Sequence, residues 1–238
     1  MSLTDTTELL TASRPSAPLD SSLLVWGEVT AEANLPLIAA EAGTLKATIT
    51  LKRAVPAGHF VEFWKHFVSD SRDLQADSPD QPCYLAAQCS AGGCRPVVYP
   101  NAPVHGPGAY FPYRKWGGAQ LLVDAASGDT VTFLVEDTEM QSFEDVQFNL
   151  RIALLDAEQN LVGYFGDACY PIAGGPRDHF YIVAPTIVAP GERFDCQVIA
   201  RDRFRNRSGE RVRPADLQID AAGVEWDEIT EDPDYARL

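Results

Sequence analysis

Residues 127–156 read SGDTVTFLVEDTEMQSFEDVQFNLRIALLD, and apolar side chains fall twice on every second position. Val131, Phe133 and Val135 make the first set. Val146, Phe148, Leu150, Ile152 and Leu154 make the second, with Gln147, Asn149 and Arg151 between them. A period of two belongs to a strand with one dry face and one wet face. Ser127-Gly128-Asp129 supplies turn chemistry, and the acidic residues 136–144 predict a connection over solvent, so the stretch predicts a long hairpin. Two paired strands cannot cover their own apolar faces, and further strands must close over them. The chain is therefore predicted to be mostly β: an antiparallel β-sandwich over residues 23–173, then a partial immunoglobulin-like module with an acidic tail over residues 177–238. Residues 1–22 predict a flexible, polar N-terminal arm.

Upstream of that stretch, residues 23–29 (LLVWGEV) predict a short edge strand that Gly27 interrupts. Residues 45–51 (LKATITL) alternate as a strand, while residues 37–42 (LIAAEA) fit either a strand or one helical turn. In HFVEFWKHFVSD, residues 59–70, both spacings find matches, and the aromatic composition favours a strand. On a strand, His59 and His66 point to opposite faces, which argues against a paired histidine site. Residues 69–82 predict a surface loop and residues 84–89 another strand.

Residues 90–118, SAGGCRPVVYPNAPVHGPGAYFPYRKWGG, are dense in glycine, proline and aromatics and show little regular period. A loop of that length within a compact domain is often functional. His105, Tyr110, Tyr113, Arg114 and Trp116 are its candidate ligand or partner surface; the alternative is a lid packed over one end of the sandwich. Residues 156–160 then turn the chain into LVGYF, a hairpin partner in which Gly163 marks a bulge or a close approach by a neighbour. Residues 172–177 (IAGGPR) halt any element and mark the domain boundary. Beyond them, a strand, a Pro190-Gly191 turn, a second strand and an Arg-Asp-Arg-Phe-Arg-Asn loop follow the order in which immunoglobulin-like modules begin, although too few residues remain for a complete one. In that loop Arg201, Arg203 and Arg205, continued by Arg207, are the candidate anion-binding residues, facing a carboxylate of the acidic tail or of a partner. Exposed salt bridging is the alternative account of the same arginines.

Nineteen Lys and Arg against 34 Asp and Glu leave a net charge of -15. That field repels phosphate backbones, so nucleic acid is not an expected partner. No apolar run approaches the ~20 residues of a spanning helix. No basic segment followed by an apolar one opens the chain, so the expected location is the cytoplasm, with the five cysteines reduced and no membrane partner. Cys83, Cys89 and Cys94 lack the close spacing of a zinc knuckle. Cys169 and Cys196 lie in apolar strand contexts and predict core thiols. Neither a Gly-x-Ser-x-Gly elbow nor a phosphate-cradling loop is present. The residues therefore predict no catalytic group, no metal and no cofactor.

Four runs in order, EAGTLKATITLKRAVPAGHFVEFWKHFVSD, PYRKWGGAQLLVD, SGDTVTFLVEDTEMQSFEDVQFNLRIALLD and IVAPTIVAPGERFDCQVIARDRFRN, carry a family resemblance. Together they resemble the N-terminal β region of a family of large bacterial proteins classed as a domain of unknown function. The resemblance spans residues 41–206 and rests on segment order. It implies that such a region precedes a metal-dependent hydrolase module of the polymerase-and-histidinol-phosphatase type. The Gly-Asp-Leu-His motif that announces that module does not occur here, so no metal ligand carries over. The resemblance implies a non-catalytic module or subunit associated with a metal-dependent hydrolase. It would shape the hydrolase's substrate entrance with residues 90–118 and take a larger catalytic chain as its partner. The alternative is a stand-alone module that binds a carbohydrate or another small ligand through the same aromatic residues.

Overall fold

The computed structural model describes residues 26–34, 36–103, 112–210, 212, 230–231 and 236–237. Among them the chain is mostly β, with no helix, and its strands form three sheets. The first sheet takes β1 (Gly27–Ala33), β3 (Ala42–Leu51), β8 (Thr130–Glu139) and β5 (Tyr84–Cys89), in that spatial order. The second runs β2 (Leu37–Ile38), β10 (Leu161–Ala173), β9 (Asp145–Leu155), β4 (Phe60–His66), β7 (Tyr113–Leu121) and β6 (Cys94–Val98). The third runs β11 (His179–Val183), β12 (Gln197–Arg201), β14 (Ala236–Arg237) and β13 (Thr230–Glu231). Pairing is antiparallel throughout except for the two-residue parallel pair of β2 with β10. Among the described residues no helix is long and apolar enough to cross a membrane.

The first two sheets share one apolar core. Ile49, Val131 and Phe133 enter it from the first sheet; Phe63, Phe148 and Ile152 enter it from the second. Phe63 sits between the sheets, edge-on to Trp116 at 5.8 Å and tilted against Phe133 at 5.1 Å.

That shared core corrects the predicted hairpin. β8 pairs with β3 and β5, whereas β9 pairs with β4 and β10, so the two strands belong to different sheets. Facing each other across the core buries both apolar faces at once, which side-by-side pairing does not. The connection keeps its acidic Glu136, Asp137, Glu139 and Glu144 exposed as expected but buries Thr138, Met140 and Gln141, and Val146 stands exposed. Residues 90–118 are also more ordered in pattern than expected, because they contain β6 and the start of β7. Residues 37–42 form the two-residue β2, a turn with Ala40 at a φ of 56°, and the start of β3. Cys169 is exposed, correcting the predicted core thiol, while Cys196 is buried. The edge strand expected at 23–29 is β1, which Gly27 opens rather than interrupts, while residues 23–25 and the expected arm of residues 1–22 lie outside the described residues. Residues 60–66 are a strand, and β9 returns as β10 through a turn in which the Asp156 amide donates to the Asn160 carbonyl (2.9 Å). The register between them slips at Leu161 and Gly163, the expected bulge.

β4 is the centre of the second sheet, and Gly118 lets β7 press onto it. A Cβ at residue 118 would lie 2.5 Å from the Val61 carbonyl oxygen, so a larger residue would force the strands apart. Behind β4, residues 67–74 cross towards the first sheet. Three side-chain donors hold the backbone of that crossing: Arg114 on the Ser69 carbonyl (2.8 Å), Lys65 on that of Ser71, and Trp116 on that of Arg72 (3.0 Å).

Candidate functional site

Strand alternation separates the residues predicted as one aromatic surface. Along β7, Tyr113 and Lys115 point to the outer face of the second sheet, and Arg114 and Trp116 point inward. Trp116 is 1% exposed and belongs to the core shared by the sheets, which leaves it no face to offer a ligand. Arg114 is occupied with the crossing segment. Tyr113, 3% exposed, packs with Phe60, Trp64, Ala153 and Leu155 on the outer face, under the Arg151 guanidinium at 4.2 Å. His105 and Tyr110 lie outside the described residues.

The charged groups on that outer face are matched to one another. Glu62, fully buried, accepts from Lys115 Nζ (3.1 Å) and from the Tyr99 hydroxyl at one oxygen, and from Trp64 Nε1 (2.9 Å) at the other. Arg151 on β9 grips Asp167, its cross-strand partner on β10, through Nε (3.1 Å) and a terminal nitrogen (3.3 Å). Buried charges of this kind hold their geometry because removing one partner strands the other in a medium of low polarity. On the inner side, Lys65 is fully buried, with its ammonium 4.8 Å from the Trp116 ring centre. Burial first, and the Arg114 charge second, lower the Lys65 pKa to about 7. Among the described residues, no three His, Cys, Asp or Glu side chains form a metal-binding group.

The second region of interest is the third sheet and its attachment. The predicted anion-binding arginines sit on a turn built around Asp202, which is buried. One Asp202 oxygen accepts from the amides of Phe204 (2.9 Å) and Asn206 (2.8 Å); the other accepts from the Gly175 amide (2.9 Å) and Asn206 Nδ2 (2.8 Å). Burial alone would push the Asp202 pKa up, but these bonds together outweigh it and hold the carboxyl below its usual range. Asn206 then reaches into the first unit, donating to the Ser142 carbonyl (2.8 Å) and accepting from the Glu144 amide (2.9 Å). Gly174 completes the joint. A Cβ there would lie 1.9 Å from the Arg207 carbonyl oxygen, a contact only glycine permits.

The same turn disposes of the three arginines separately. Arg201 donates to the Arg205 carbonyl (3.0 Å), Arg203 stacks over Phe204 at 4.6 Å, and Arg205 occupies left-handed backbone at a φ of 72°. Arg203 also lines a cleft of about 270 Å³ together with Glu41, Gly175, Arg177, Asp178 and Phe204.

β11 begins directly after that cleft. All five of its residues pair with β12, yet its other edge has no strand partner among the described residues. Its side chains are apolar towards both faces of the sheet and all four stay exposed: Phe180, Tyr181 (55%), Ile182 (62%) and Val183. Beyond it Ile187 is 90% exposed. No family model and no curated protein matches this chain.

An apolar strand with exposed faces, and with one edge unpaired among the described residues, is a feature that a binding partner can use. The sequence contains its signal, the run FYIV, whose apolar character on consecutive positions marks a strand suited to burial on both sides. The turn at Asp202 was legible only as a row of arginines; its working residues are the Asp and Asn between them.

Proposed function

We propose that the first two sheets form a β-sandwich, that the third sheet begins an immunoglobulin-like module, and that the chain is a non-catalytic assembly module which docks through β11 on a larger catalytic chain. The observation that carries this reading is β11, an apolar strand exposed on both faces, in a sheet that Asn206 joins to Ser142 and Glu144 and Asp202 joins to Gly175. The matched charges around Glu62 and Arg151 support a scaffolding role for the second sheet, since each ionic group there already has its partner. The resemblance to a β region that precedes a metal-dependent hydrolase supports a hydrolase as the class of the catalytic chain. The five free thiols suit the reducing cytoplasm in which we place the assembly.

The test is purification of the tagged chain from its native host at low salt, followed by an assay of metal-dependent phosphoester hydrolysis. The expected result is a stoichiometric complex with a larger chain that hydrolyses the ester and is stopped by a chelator, while the chain by itself is inactive. Stoichiometric metal and hydrolysis in the isolated chain would overturn the reading.

A further inference from the structure

The first two sheets face each other across one core, and on one side their outermost strands among the described residues are β5 and β6. Residues 90–93, Ser-Ala-Gly-Gly, carry the chain from one sheet to the other, and the two strands lie against each other. A cysteine stands at each end of that turn: Cys89 closes β5 and Cys94 opens β6. Strand alternation fixes where the thiols point. Leu85, Ala87 and Cys89 share the face of β5 that packs on the core, and Cys94 and Val98 share the corresponding face of β6. The neighbouring strands agree, since Cys89 is paired with Val131 and Cys94 with Leu121, both fully buried in that core. The two thiols therefore enter the same end of the core from opposite sheets.

The turn that joins them is anchored at its ends and adjustable in its middle. The Ser90 amide donates to the Thr130 carbonyl (2.9 Å), the Gly92 amide to that of Cys89 (3.1 Å), and the Leu122 amide to that of Gly93 (2.9 Å). Gly92 has a φ of 114°, and a Cβ at Gly92 or Gly93 would meet no heavy atom closer than 3.5 Å. The backbone thus has room to settle by the amount that the fixed Cα separation of a disulfide demands. Both thiols are free and half-buried. Burial first, and the Cys89 charge second, raise the Cys94 pKa, so the two sulfurs feel each other and Cys94 is the slower to ionise. The other three cysteines lie elsewhere: Cys83 precedes β5 at its far end, Cys169 is exposed on β10, and Cys196 precedes β12.

We propose that Cys89 and Cys94 form a reversible disulfide that staples the edge of the first sheet to the edge of the second when the surrounding thiol pool becomes oxidised. The oxidant is a low-molecular-weight disulfide. The Cys89 thiolate attacks one of its sulfurs, which forms a mixed disulfide and releases one small thiolate. Cys94 then gives up its proton, attacks the Cys89 sulfur and releases the second small thiolate, so two protein thiols are oxidised and one small disulfide is reduced to two thiols. Excess small thiol runs the sequence backwards, and the reduced pair is the resting form in a reducing compartment. The staple is independent of β11 and of the partner chain proposed above.

The test uses the full chain, equilibrated with mixtures of glutathione and glutathione disulfide of rising oxidised fraction and quenched in acid. One alkylating reagent caps the free thiols of the unfolded chain. Reduction and a second, heavier reagent then mark the thiols that were bonded, and tandem mass spectrometry reads their positions. Cys89 and Cys94 are expected to take the second label together in a monomeric chain, while Cys83, Cys169 and Cys196 take the first. Amide exchange at Ser90 and Leu122 is expected to slow on the order of tenfold in the oxidised chain, with Gly175 unchanged. Cys94→Ser is expected to stop at a Cys89 that carries glutathione. The second label on Cys83 or Cys169, glutathione on both Cys89 and Cys94 without a bridge, or the first label on every cysteine in glutathione disulfide alone would overturn the pair. An internal bridge that survives in Cys94→Ser would do the same, and unchanged exchange at Ser90 and Leu122 in the bridged chain would overturn the staple.

Discussion

β4 and β11 are written in nearly the same language, Phe-Val-Glu-Phe-Trp in one and Phe-Tyr-Ile-Val in the other, and meet opposite fates. Every β4 residue from Phe60 to Lys65 is buried, with β9 on one side and β7 on the other. Four of the five β11 residues are exposed, and among the described residues the strand has a single neighbour. Apolar character on consecutive positions therefore announces a demand for cover on both faces, and it does not say who supplies the cover. In β4 the chain supplies it; in β11 it does not, among the residues described.

The largest test of that contrast is a matched pair of truncations. Phe63→Ala is expected to cost about 3–5 kcal/mol by urea unfolding, because the ring is lost from between Trp116 and Phe133 and the site cannot fully collapse. A comparable loss from Ile182→Ala would show that β11 is covered after all. Next in size is the joint that carries β11. Asp202→Asn replaces an acceptor shared by the Gly175 amide and Asn206 Nδ2 with a donor, and is expected to cost about 1–3 kcal/mol. The loss should be local: amide exchange at Gly175 and Glu144 accelerates, while amides of β4 keep their protection.

A third measurement concerns the charge that β4 buries and β11 lacks. Lys65 keeps its proton to about 10.5 when unfolded but only to about 7 when folded. Between those values the unfolded chain holds more protons, so stability rises with pH by up to about 1.4 kcal/mol per unit and is flat below the window. Lys65→Met is expected to remove that rise, as read from denaturation midpoints at pH 7, 8 and 9. The smallest effect belongs to the exposed strand: Ile182→Lys should shift stability by no more than about 0.5 kcal/mol while improving solubility, since it changes surface and not core.

The strands were legible wherever apolar positions alternated, as in β3, β9 and the Gly163 bulge, because alternation reports which face is dry. It does not report which strand lies alongside. Val131 and Phe148 read as members of one hairpin, yet each faces the other's sheet across the core. The aromatic residues of 113–116 were legible as a cluster but not as two opposed faces, since glycine and proline nearby suggested a loop where β7 runs. Glu62 and Lys65 gave no signal, because a charged residue on a strand normally marks the wet side. The turn at Asp202 was obscured by its own arginines, whereas the short polar side chains between them form the bonds.

Asn206 joins the third sheet to Ser142 and Glu144, which precede it by more than sixty positions, and Gly174 is clasped against Arg207. The third sheet is consequently tied to the first two at the connection between β8 and β9 as well as at the end of β10. A linker lengthened at residues 174–176 would release the Gly174 clasp and the Gly175 bond to Asp202.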